Sequence, residues 1–181
     1  MRVSYASAST NNLSTGEKDI LEAVKSRRGA AGLLPLDYAL LHSYPIAKGW
    51  HQLFSAIRTE TNLSPDILQL AICRVALHCG AQIPWKAYLA NLTELDGMTN
   101  EKLEVVETRD PSSQGALSDL QWVVLRYADA MTTRVVIEEA LFREIQRSGL
   151  DERQIVELTA TIAAYNFVSR FLVALDVDER Q

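Results

Sequence analysis

Apolar side chains recur along most of this chain every three to four residues, the period of an amphipathic helix. Residues 17–25 place Ile20, Leu21 and Val24 on one face. Residues 27–34, with Gly29 and Gly32, read as a connector, and 36–42 as a short helix. Pro45 then sits in the first turn of a helix whose stripe is Ile46, Trp50, Leu53, Phe54 and Ile57. Ser64, Pro65 and Asp66 form a strong start signal: an N-cap, a proline at the first position, and an acid near the positive helix end. The helix they open is apolar nearly all round over 67–77 and is predicted to be the central buried helix, running to about residue 80 or 82.

Pro84 cannot donate into the preceding turn, so it begins a new helix or kinks the old one. The new segment stops at Gly97, and 99–106 is one further short helix. Residues 108–115 are the clear loop. Ser118 with Gln121 and Asp151 with Gln154 are capping boxes that open two later helices, over 117–131 and from 151 to the C-terminal region. Between them, 132–136 is β-branched and reads as irregular or briefly extended, and 137–148 as helical, closing on Gly149. The expectation is all-α, about eight helices and no sheet. Several helices are apolar beyond one stripe, which implies burial in an oligomer as well as in a monomer core.

Composition sharpens this picture modestly. The chain has 181 residues, 48% of them hydrophobic and 23% charged, with a net charge of −5. That suits one ordinary globular domain. The expected organisation is a mobile tail over 1–15 and a single helical domain over 16–181. Without basic clusters the chain is a poor nucleic-acid binder, and no apolar run approaches the roughly 20 residues of a membrane span. Residues 1–15 lack the apolar core of a secretory signal. Cys73 and Cys79 are six apart, neither CxxC nor a metal spacing, and lie on different helix faces. A cytoplasmic, reducing location is the expectation.

The chemistry-bearing residues are few. His42, His51 and His78 stand at no i,i+3 or i,i+4 spacing, so no metal is expected. Each also reads as an ordinary core or surface imidazole. The two cysteines read as packing residues, Trp50, Trp85 and Trp122 as core and interface, and the charge-rich stretches 101–110 and 138–147 as solvated faces. Gln69, Tyr88, Tyr165 and Asn166 lie among apolar neighbours. Buried polar atoms need partners, so these residues either satisfy one another or line a pocket.

The segment QLAICRVALHCGAQIPWKAY (69–88) resembles the core motif of the carboxymuconolactone decarboxylase and alkylhydroperoxidase-D superfamily. The likeness extends to LHSYPIAKGW (41–50), LRYADAMT (125–132), VELT (156–159) and YNFVSRFLVAL (165–175). It implies an alkylhydroperoxidase-D-like helical bundle, a homo-oligomer (trimer, hexamer or dimer), and pockets near subunit interfaces. The peroxidase branch carries a glutamate, two cysteines and a histidine at positions that fall here on Gln69, Ala81, Pro84 and Tyr88. All four are replaced. Without two neighbouring thiols, dithiol peroxidase chemistry is not available. The decarboxylase branch commonly has Glu before the tryptophan and His three after it. Here Pro84 and Tyr88 flank a retained Trp85.

The resemblance thus leaves two readings. In one, a pocket lined by Trp85, Ala81 and Pro84 persists in a cofactor-independent, non-redox enzyme. Tyr88 would donate a proton or hydrogen bond, Gln69 would orient a carbonyl, and His78 or His51 would act as base. The substrate would be a small oxygenated apolar metabolite, and the reaction a decarboxylation, isomerisation, dehydration or cyclisation. In the other, the chain is catalytically empty and serves as a small-molecule-binding or scaffold protein. The plainer reading of the same residues is a Tyr88–Gln69 hydrogen bond in a closed core.

Overall fold

A computed structural model describes residues 1–8, 11 and 13–178. Among them every regular element is helical: α1 (Thr15–Arg28), α2 (Pro35–Leu40), α3 (Tyr44–Thr59), α4 (Pro65–Cys79), α5 (Gln82–Thr93), α6 (Asn100–Glu107), α7 (Asp119–Thr133), α8 (Glu139–Arg147) and α9 (Glu152–Leu175). One further 3-10 turn covers Gly29–Ala31. This is one α-helix more than the sequence pattern suggests, and no strand is present among the described residues. The chain falls into two compact units, Met1–Glu60 with Ala174–Gln181, and Thr61–Val173.

The first unit holds α1, α2 and α3. Its core includes Leu21, Leu41 and Tyr44, against which Ala6, Ala8 and Leu13 also pack. The N-terminal stretch is anchored in it: Arg2 N–H donates to Leu175 O at 2.7 Å, Ala6 N–H to Tyr38 O at 3.2 Å, and His42 Nε2 lies 2.6 Å from Ser4 O.

The second unit is built on α4, which packs against α5, α6 and α7, with α8 on α7. Residues Ile67, Leu70, Ala71, Ile72, Val75 and Ala76 are all essentially buried, as the apolar pattern predicts. The helix ends at Gly80, whose φ of 65° is a left-handed cap that a side chain would disfavour. Pro84 falls in the first turn of α5, so it opens a new helix rather than kinking α4. Ser64 takes the N-cap backbone conformation but makes no side-chain cap bond. Ser118–Gln121 and Asp151–Gln154 do form reciprocal capping bonds. After α7 the backbone turns irregular, with Val135 at φ 67°.

Helix α9 differs from expectation in one respect. By length and composition it is apolar enough to cross a membrane, although half of the qualifying stretch is buried within the protein. Its polar residues Thr161, Tyr165, Asn166 and Ser169 are all buried, as in the core helix of a folded domain.

Candidate functional site

Arg74 lies in the middle of apolar α4 and is 0% exposed. A guanidinium in such a place must have all its donors satisfied. Nε donates to Asp129 Oδ1 at 2.8 Å, and Nη1 to the carbonyls of Val106 and Thr108, both at 2.7 Å. Nη2 donates to Arg109 O at 2.7 Å and to Asp129 Oδ2 at 2.6 Å. All five N–H groups are thereby used. The pair with Asp129 is bidentate, the strong geometry for this ion pair.

That count fixes the state of His78. Its Nε2 stands 3.2 Å from Arg74 Nη2 and 3.0 Å from Asp129 Oδ1. Nη2 has no third hydrogen to give, so the contact with Arg74 is not a hydrogen bond. Nε2–H therefore donates to Asp129 Oδ1, and in the neutral ring the lone pair resides on Nδ1. No residue among those described hydrogen-bonds Nδ1.

His78 and Asp129 line an open cleft of about 670 Å³ in the second unit. This is within the size range of small-molecule sites. Leu125, Leu141 and Trp122 give the cleft an apolar side, and the Arg126 guanidinium lies 5.5 Å from the centre of the Trp122 ring. Arg126 and Arg134 are paired with Glu144 and Glu138. Arg109 is different: among the described residues its guanidinium makes one bond, from Nη2 to Leu77 O at 3.0 Å, and no ion pair. Parts of the two charge-rich stretches read as solvated faces are thus walls of this cleft.

The residues at the positions of the family motif lie elsewhere in the same unit. Ala81 is fully buried as the N-cap of α5, and Pro84 is also buried. The Tyr88 hydroxyl is hydrogen-bonded to that of Tyr165, with the rings edge-to-face at 5.1 Å. The expected Tyr88–Gln69 bond is absent: Gln69 Oε1 is buried without a hydrogen-bond partner. Thr161 Oγ is likewise buried and unpartnered one turn before Tyr165. Asn166 is satisfied by Thr132 Oγ1 at 3.0 Å and Ile162 O at 3.1 Å. None of Gln69, Ala81, Pro84, Trp85 or Tyr88 lines the 670 Å³ cleft.

His51 belongs to the first unit, beside a cavity of about 10 Å³ with Asp37 and Arg27. Its Nδ1 is buried without a partner, and burial, reinforced by the Arg27 charge, pushes its pKa below the usual histidine range. The candidate catalytic set Tyr88, Gln69, His78 and His51 is therefore not gathered in one described cavity. Only His78 reaches the large cleft.

Both cysteines are free thiols. Burial raises the Cys73 pKa to about 12 and also raises that of Cys79, whose Sγ lies 3.8 Å from Asn166 Oδ1. Thiols held protonated in this way are poor nucleophiles.

Sequence reasoning missed Arg74 and Asp129. A signal existed: a lone arginine inside an apolar helix almost always has a buried partner. The partner stands 55 residues away, however, and several acids compete for the role.

The fold has known counterparts. A peroxidase-related protein from Ralstonia eutropha JMP134, described as an alkylhydroperoxidase AhpD core, superposes with a TM-score of 0.78 over 97% of this chain and 90% of its own, at 13% identity. The chain has the alkylhydroperoxidase-D-like fold. A peroxidase-related protein from Silicibacter sp. TM1040 gives a TM-score of 0.72 at 17% identity, over 93% of this chain and 86% of that one. A cysteine-to-alanine variant of the debrominase Bmp8, in complex with 2,3,4-tribromopyrrole, gives 0.69 at 17% identity, covering 91% and 88%. No family model matches the sequence, and no curated protein matches it.

Proposed function

We propose that this protein is a cofactor-independent, non-redox enzyme in which His78 removes a proton from a small, oxygenated, largely apolar metabolite bound in the cleft beside α7 and α8. The observation that carries this reading is the Arg74–Asp129–His78 chain. Arg74 fixes both Asp129 oxygens, Asp129 holds the His78 Nε2–H at 3.0 Å, and the Nδ1 lone pair is left without a partner among the described residues. An orienting carboxylate behind an imidazole selects the tautomer and stabilises the imidazolium that forms on proton uptake. Arg109, the lining cation without an acid partner, is placed to stabilise negative charge developing on a substrate oxygen. Such a set suits isomerisation, dehydration or decarboxylation. The protonated thiols and the absence of a CxxC argue against dithiol peroxidase chemistry. Tyr88 has a structural role in this reading, tying α5 to α9 through Tyr165.

A second reading has its own support. Ala81 and Pro84 are buried and the Tyr88 hydroxyl is occupied by Tyr165, although Gln69, Trp85 and Tyr88 are half-buried. That favours a catalytically empty member that binds a small molecule or acts as a scaffold.

Mass spectrometry of a metabolite mixture incubated with wild type, His78→Asn, Tyr88→Phe and Gln69→Ala separates the two. The enzyme reading expects a compound consumed by wild type and Tyr88→Phe but spared by His78→Asn. A compound retained but unchanged in every sample favours the binding protein. We also propose a homo-oligomer, supported by the exposed apolar side chains Val156, Phe167 and Val173 on α9. Light scattering that gives a monomer mass would refute it.

A further inference from the structure

The cleft does not stand alone. A second open cleft, of about 630 Å³, lies against it and shares three lining residues: Trp122, Arg126 and Glu144. These three are already bound to one another, with Arg126 over the Trp122 ring and ion-paired to Glu144. They form a bar between two spaces, each large enough for a small molecule. The ion pair is not built into the core. Its side chains are 34% and 48% exposed, and such pairs contribute little to stability.

The first cleft offers both charged and apolar lining. Arg109 offers an unpaired guanidinium, while Leu125 and Leu141 line the cleft as apolar wall. We propose that the cleft binds an amphiphilic carboxylate anchored on Arg109, and that the Arg126–Glu144 bar sets the longest chain it accepts. This rests on the reading that the cleft is the substrate site, and adds the substrate class and its length limit. A ligand whose chain is stopped at the bar fills the first space only. With the bar removed, the chain continues into the second. Asp110, exposed and next in sequence, is a lining acid without an ion pair among the described residues and is the place where an ammonium head group would go instead.

The test is calorimetric titration of the full chain with straight-chain carboxylates from butanoate to dodecanoate, and with alkylammonium ions of the same lengths. Burial of each methylene is worth about a fourfold gain in affinity. Wild type is expected to tighten by about that step up to a limiting length and then stop. Arg126→Ala and Glu144→Ala are expected to keep tightening past that length, reaching at least about tenfold over wild type at dodecanoate. Arg109→Gln should weaken every carboxylate by about tenfold without moving the limit.

Identical length profiles in wild type and both bar variants would overturn the proposal. So would equal affinities in Arg109→Gln, preference for the ammonium series, or no binding by any carboxylate. His78→Asn, which alters a lining residue, should leave the limiting length unchanged. A profile that holds while no turnover is found therefore defeats the catalytic reading and leaves this one standing. Turnover lost in His78→Asn, with identical profiles in the bar variants, does the reverse.

Discussion

Asp129→Ala removes the only side-chain acid that hydrogen-bonds Arg74 among the described residues. Arg74 is 0% exposed and keeps three backbone carbonyl acceptors, from Val106, Thr108 and Arg109, but loses the partners of Nε and of one Nη2 hydrogen. A buried guanidinium with no compensating charge costs about 3–5 kcal/mol. For a chain of this size that corresponds to a fall in melting temperature of roughly 6–20 °C. Asp129→Asn is isosteric but neutral, and turns its amide N–H₂ toward one of the arginine donors, so it should lose nearly as much. The control is Asp110→Ala, an exposed acid lining the same cleft, which should stay within about 0.5 kcal/mol of wild type. Urea unfolding followed by circular dichroism reads all three. An Asp129→Ala loss below about 1 kcal/mol would mean that Arg74 is stable in the interior without that carboxylate, contrary to this expectation.

Other outcomes follow from the same contacts. Gly115 has φ 55° and a Cβ there would meet Val105 Cγ2 at 2.7 Å, so Gly115→Ala should lose about 1–3 kcal/mol on thermal unfolding. Ser118→Ala removes the acceptor of the Gln121 N–H and should lose about 1 kcal/mol in the same assay. His51 has a folded-state pKa below its unfolded one. Its contribution is therefore fully present above the ordinary histidine pKa and is lost as pH falls from there through the folded value. The melting temperature should drop on going from about pH 7.5 to about 5.5, and less steeply in His51→Leu. Cys73, with its pKa raised to about 12, should resist a thiol reagent at about pH 8 until the protein unfolds.

The helices were legible because their signals are local. The Ser118 and Asp151 capping boxes and the left-handed Gly80 lie within a few residues of the ends they mark. The buried face of α4 was legible from its apolar run. The site was not, because it depends on pairings distant in sequence. Arg74 reads as one polar interruption of an apolar helix until Asp129 is placed beside it, and His78 reads as an ordinary imidazole until Arg74 is seen to have no hydrogen left to offer it. The resemblance to the family implies a site at Gln69, Ala81, Pro84 and Tyr88, none of which lines the large cleft. The fold brings Tyr88 to Tyr165 instead of to Gln69, a partnership that two tyrosines 77 residues apart do not announce.

If His78 takes a proton from a bound metabolite, isotope exchange reveals it. Wild type and His78→Asn would be incubated in D₂O with the same metabolite mixture and examined by high-resolution mass spectrometry. At least one compound, converted or not, should gain a carbon-bound deuterium with wild type and not with His78→Asn. Deuterium gained equally with both proteins, or with neither, would contradict it.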